Sequence, residues 1–295
     1  MSSNNLTPTI MATKDPCLPP ELEREIFELT AQVYPEMRFA LLLVAQRVLT
    51  WIQPILYHKL FIHSKQKHPD LATTPPHLFE NHTRHLILFS SQESHVEAVR
   101  VCPNITHLAI SDETPLPQSY DALLELRHLK RLACWSGALA PSRDTFTREF
   151  AAERAFACIT HLEIFDDVVR PLLTSFVVAL PSLTHLALNI PSINLANSWS
   201  TLVEVLQEAT HWEVLVLLNQ FRSGAREVAD AVPSNWEDDR LVTTWYVHWT
   251  EGIMERREGM SYWVVAESFI ARKRKNPKSA RSFYAVWPGS EEQLG

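Results

Sequence analysis

Histidines recur along this chain at a spacing that raises the question of metal or proton chemistry. His85, His107, His161 and His185 hold the same place in successive copies of a short apolar phrase, and Arg131 fills that place in a further copy. Imidazole is a common zinc ligand and a general base. One ligand per strand in a flat row gives poor tetrahedral geometry, however, and no Cys or Asp joins the row. His82 and His85 form only a weak H-x-x-H pair, and no HExxH occurs. The row reads as the polar face of a sheet, with no metal and no cofactor expected. The adjacent carboxylates Asp166-Asp167 and Asp238-Asp239 suit a helix N-terminus and a turn. Cys158 lies near His161 with no identifiable orienting acid. The six glycines form no phosphate loop, no GxGxxG and no GxSxG elbow. No catalytic residue emerges, and the chain is expected not to be an enzyme.

The phrase itself must position these side chains. Ile105-Thr106-His107-Leu108-Ala109-Ile110, Ile159-Thr160-His161-Leu162-Glu163-Ile164 and Leu183-Thr184-His185-Leu186-Ala187-Leu188 share nearly the same words. Leu129-Lys130-Arg131-Leu132-Ala133-Cys134 follows the same pattern, and looser copies begin at Thr83 and Trp212. The anchoring leucines are 86, 108, 132, 162, 186 and 215, in steps of 22, 24, 30, 24 and 29 residues. Self-similarity of this period signals a stacked array, an architecture that presents surfaces to partners. Helices are expected over Gln92–Val101, Ser119–His128, Thr145–Ala157, Val168–Leu180 and Trp199–Ala209, and Val242 to Trp249 reads as a last strand. Strands alternating with helices imply parallel pairing through crossovers. Alternation along each strand sends Leu108 and Ile110 inward against the helices, and His107 and Ala109 toward an open face. That face is the expected target surface, with His107, Arg131, Trp135, His161, Glu163, Phe165 and His185 as its candidate contacts.

Composition narrows the partners. A net charge of −7 argues against a nucleic-acid-binding body. The longest apolar run, Phe39 to Ala45, is too short to span a bilayer. Cys17, Cys102, Cys134 and Cys158 are scattered, which suits a reducing compartment. Met1 to Pro16 is polar and reads as a flexible tail without a signal core, so a cytoplasmic or nuclear location is expected. Arg272-Lys273-Arg274-Lys275, with Lys278 and Arg281 beyond, reads as favourable charge at a helix C-terminus, or alternatively as an import signal.

Ahead of the array, Leu18-Pro19-Pro20 leads into an amphipathic helix over Glu21–Val33, with Leu22, Ile26, Leu29 and Val33 on one stripe. A second helix is expected over Glu36–Val48, with Met37, Leu41, Val44 and Val48 on one face, and Pro54 should break the chain. Leu18-Pro19-Pro20-Glu21-Leu22 with Ile26-Phe27 resembles the opening of an F-box, and Leu41-Leu42 and Val44-Ala45-Gln46-Arg47-Val48 resemble its later helices. The whole is similar to F-box families of fungi, here followed by leucine-rich-repeat-like copies. The resemblance implies an α/β chain with a short F-box-like helical module over 17–64. An irregular leucine-rich-repeat-like solenoid over 65–250 would follow, with a curved parallel sheet and outer helices, and then a C-terminal helix and basic tail over 251–295. It also implies the substrate-recognition subunit of an SCF-type cullin–RING ubiquitin ligase. Leu18, Pro19, Leu22, Ile26 and Phe27 would dock the linker protein, and the repeats would bind an unknown protein target. This sequence departs from the family at Ala45-Gln46-Arg47, where a Cys-Lys or Cys-Arg is usual, and most copies lack the repeat asparagine. A repeat scaffold with no ligase link, its first helices serving only as a cap, is the alternative.

Overall fold

The computed structural model describes residues 18–63, 70–89, 93–112, 117–140, 142–166, 171–189, 198–254, 260–276 and 282–288. The expected tail over 1–16, Cys17, Asp167, Lys278 and Arg281 lie outside these residues. The chain divides into a first compact unit ending at Leu56 and a second beginning at Tyr57.

In the first unit, helix α1 runs over Pro20–Val33, with proline at its first position and Glu21 and Glu23 in its first turn. Both features suit the orphan N–H groups and positive end of a helix start. Instead of one helix over Glu36–Val48, a 3₁₀ turn at Pro35–Met37 leads into the short α2, Arg38–Leu41, and α3 spans Gln46–Tyr57. The break splits the expected stripe. Leu41 and Val48 are buried, while Met37 and Val44 face solvent. Pro54 lies inside α3 without ending it. The buried Ile52 and the inward Ile55 hold the helix on the unit's small core with Ala31, Leu41 and Val48. Arg47 clamps α3 to α1 through a two-pronged contact with Glu23, at 2.7 and 3.0 Å. Arg38 Nε donates to the Ala31 carbonyl at 2.8 Å and so satisfies one of α1's last acceptors.

The second unit is α/β, built on one eight-stranded, all-parallel sheet ordered as in the sequence. Its strands are β1 Lys59–His63, β2 His85–Phe89, β3 His107–Ile110, β4 Arg131–Cys134, β5 His161–Ile164, β6 His185–Leu188, β7 Val214–Asn219 and β8 Leu241–Trp245. Sequential parallel order matches the expectation from the phrase. The register aligns Leu60, Leu86, Leu108, Leu132, Leu162, Leu186, Leu215 and Leu241 in one row across all eight strands. Every one of these leucines is at most 3% exposed and belongs to one core. The ladder is therefore longer at both ends than the phrase indicated. Lys59–His63 joins the sheet rather than the helical module, which moves the boundary expected at 64/65 back to 56/57.

Helices α4 Pro76–His82, α5 Glu93–Val101, α6 Pro117–Leu124, α7 Arg148–Ala151, α8 Pro171–Ala179, α9 Trp199–Glu208 and α10 Arg222–Asp230 occupy the successive crossovers. Side chains from them, among them Phe79, Val99, Leu123, Leu173, Leu202 and Val228, share the leucine core. The continuous helix expected over Thr145–Ala157 is instead two 3₁₀ turns around α7. The segmented path lets Phe146, Phe150 and Phe156 all meet Phe176 at 5.4 to 5.7 Å, which 3.6-residue spacing through Phe156 would not allow. Helix α11 spans Tyr262–Lys275. The tail beyond it is not loose over 282–288. Phe283 and Ala285 bond to both sides of Thr243, which closes the free edge of β8.

Candidate functional site

The repeated Thr-His pair has a structural meaning. The hydroxyls of Thr106, Thr160 and Thr184 each donate to a carbonyl of the preceding strand, those of Arg84, Lys130 and Thr160. Each hydroxyl also lies 2.7 to 2.9 Å from Nδ1 of the next residue, His107, His161 or His185. Each hydroxyl thus bridges a strand carbonyl and an imidazole, fixing the ring's orientation. His85 follows Arg84 rather than threonine, and its buried Nδ1 has no hydrogen-bond partner. The rings then stack in pairs, His85 on His107 at 4.1 Å and His161 on His185 at 4.2 Å. Burial holds His85 and His161 down at about 2 and His107 at about 4, so all three are neutral near pH 7.

The helix-free face is covered from β2 to β8, and this corrects the expectation for Ala109, His161, Glu163 and His185. Helix α11 and the segment after β8 lie across it. Ala187, Val216 and Val242 pack with Tyr262, Trp263, Ala266 and Ile270, and Ile87, Ala109 and Ala133 pack with Ile253 and Trp249. Trp263 stands edge-on to both His161 and His185, at 5.1 and 5.7 Å. Glu163 is 1% exposed, accepts from the Tyr262 hydroxyl at 2.5 Å and from Asn189 Nδ2 at 3.1 Å. Burial pushes its carboxyl up to about 8, so it is held as a neutral acid. Gly252 permits this closure, since a Cβ there would sit 2.1 Å from the Tyr262 hydroxyl.

Glu267 of α11 reaches His185 Nε2 at 3.1 Å. It brings a carboxylate into the histidine row that the sequence did not reveal, and His161, His185 and Glu267 have ligand-capable atoms within 4.8 Å of one another. The stacked parallel rings aim their nitrogens side by side rather than at a common point, and the positive charge of Arg131 acts on both Glu267 and His161. That arrangement suits a His–carboxylate contact better than tetrahedral coordination. Of the expected target contacts, His107 and Arg131 remain half-buried on the same face. Trp135 and Phe165 border a trough of about 550 Å³ at the C-terminal ends of the strands.

In the first unit the apolar stripe of α1 faces solvent. Leu22, Ile26, Leu29 and Val33 are 48 to 58% exposed, and α1 buries only Ala31. Leu18 and Pro19 are exposed beside them. Phe27 is the exception among the expected docking residues, because its ring turns inward to Trp51, 6.4 Å away, and packs on the unit's core. Tyr34, Met37, Phe39, Leu43 and Val44 extend the exposed apolar surface, with Leu43 at 88%. The sequence placed Met37 and Val44 on one face with Leu41 and Val48 and missed Phe39 and Leu43, since periodicity finds a stripe without saying what covers it.

No family model and no curated protein matches the chain. No helix among the described residues is long and apolar enough to cross a membrane.

Proposed function

We propose that the chain is a non-enzymatic adaptor whose first unit docks on the linker protein of an SCF-type cullin–RING ubiquitin ligase. The second unit, read as an irregular leucine-rich-repeat-like solenoid, then selects a protein target. One observation carries this reading, the solvent-facing stripe of α1. Ten large apolar side chains between Leu18 and Val44 are at least 44% exposed. Apolar patches of this kind mark interaction sites, and an amphipathic helix presenting i, i+4, i+7 and i+11 anchors suits a helix-in-groove contact. Leu18, Pro19, Leu22 and Ile26 combine this exposure with the F-box-like opening. Phe27 supports the unit from within.

Co-purification tests it. The full-length chain, expressed with the linker protein, should retain it through affinity capture and gel filtration. Ile26→Asp with Leu29→Asp should abolish retention while the melting temperature moves by less than about 2 °C, because both side chains stand outside the core. If folded wild-type chain fails to hold the linker at micromolar concentration, the adaptor reading falls, and a protein-binding repeat scaffold without a ligase link takes its place.

A further inference from the structure

We propose that the trough at the C-terminal ends of the strands binds an extended, uncharged peptide segment bearing an aromatic or large apolar side chain. This deepens the adaptor reading by naming the class of target segment. The binding itself is measurable on the chain alone, so its failure and a failure of linker docking are seen separately.

The floor of the trough follows the sheet's register. Ile110, Cys134, Ile164, Leu188 and Leu217 are aligned partners, so the next residues along, Ser111, Trp135, Phe165, Asn189 and Leu218, form one row across β3 to β7. All five line the same cavity. Strands spaced about 4.8 Å apart make this row roughly 19 Å long, the length of about six residues of extended chain. A floor of that shape fits a strand-like segment better than a compact ligand. The rim is formed by Gln220 and Phe221 at the end of β7 and by Tyr246 and Trp249 beyond β8.

Chemistry agrees with shape. Among the described residues the lining contains no carboxylate, ammonium or guanidinium, so none of these side chains offers a counter-charge to a charged ligand group. The indole N–H of Trp135 is already donated to the Ser111 carbonyl at 3.2 Å, which leaves its ring to face a ligand. Phe165 stands edge-on to both Trp135 and Trp249, at 6.0 and 5.8 Å. These rings form an apolar, aromatic receptacle suited to one ring or branched side chain. The amides of Asn189 and Gln220 each offer a donor and an acceptor, the pair that a peptide group requires. Asn189 is held in place by its bond to Glu163. Phe221, 65% exposed at the rim, is an aromatic side chain that the fold does not bury.

The test titrates capped hexapeptides of serine and alanine, with one central residue varied, into the full-length chain by calorimetry. Peptides with central phenylalanine or tryptophan should bind at least tenfold more tightly than those with central alanine, lysine or glutamate. Phe221→Ala should weaken the phenylalanine peptide at least fivefold with an unchanged melting temperature, since that ring lies outside the core. Absence of binding by every hexapeptide at millimolar concentration overturns the proposal. So does equal affinity across the series, a preference for a charged centre, or indifference to Phe221→Ala. Tighter binding of a neutral disaccharide such as cellobiose than of the phenylalanine peptide overturns it as well.

Discussion

Helices α1 and α11 are both fourteen residues long, and they treat their apolar side chains in opposite ways. In α1 a regular stripe of leucine, isoleucine and valine faces water and one alanine is buried. In α11 six residues are buried, including Tyr262, Trp263 and the basic Lys273. Helix α11 has become part of the core, closing the sheet face that its repeats leave uncovered. Helix α1 keeps an apolar face that its own unit does not use. Amphipathicity alone does not tell a packing helix from a docking helix; what distinguishes them is whether a complementary surface exists within the same unit.

Substitutions on the two helices should separate them sharply. Trp263→Ala is expected to cost about 3–5 kcal/mol in chemical denaturation, the range for a buried aromatic, whereas Ile26→Ala should change stability by no more than about 0.5 kcal/mol. An Ile26→Ala cost of several kcal/mol would place α1 with the core helices and end the contrast. Leu162→Ala, in the middle of the leucine ladder, should cost about 2–5 kcal/mol. His161→Ala should cost less, though more than a surface change, because it loses the bond to Thr160 and the stack on His185.

The closure made by α11 can be loosened more finely. Gly252→Ala should cost about 1–3 kcal/mol, since the new methyl group displaces the Tyr262 hydroxyl from Glu163. Tyr262→Phe should rescue only part of that loss, because the ring carbon Cζ and Glu163 Oε2 would still lie 2.8 Å from the new methyl group. An unchanged melting temperature for Gly252→Ala would show that α11 sits less tightly on the sheet.

A further effect, of comparable size, is one of pH. The Glu163 carboxyl is raised from 4.5 to about 8 in the folded chain, so folding favours its protonated form. Its contribution is fully present below about 4.5 and is lost as pH rises through about 8, at a slope on the order of 1.4 kcal/mol per pH unit. Glu163→Gln should flatten stability between pH 5 and 8 and melt higher than wild type at pH 8. A parallel pH profile in the two proteins would place the ionised carboxylate in the folded state. The histidines act in the opposite sense. Their depressed values mean that stability present above about 6.5 falls as pH drops toward 4, where His107 charges.

The leucine ladder was legible because each strand repeats its own words, and local patterning sets which face is buried. Strand β1 was hidden, since Lys59 to His63 follows α3 with no turn signal and lacks the Thr-His phrase. The cover over β2 to β8 could not be read from the sequence. Glu163 and Tyr262 are 99 residues apart, and nothing in either segment specifies the other. The same blindness made His161, Glu163 and His185 look like surface residues, because alternation shows that they share a face without showing what lies on it. For α1 the stripe was plain from sequence, and its exposure was not.

Hydrogen exchange followed by mass spectrometry on the full-length chain, with and without the linker protein, tests the contrast most directly. The account predicts that amides of α11 exchange slowly in both samples, while those of α1 exchange faster alone and gain protection when the linker is present. Equal protection of α1 and α11 in the free chain, with no change at α1 on adding the linker, would contradict it.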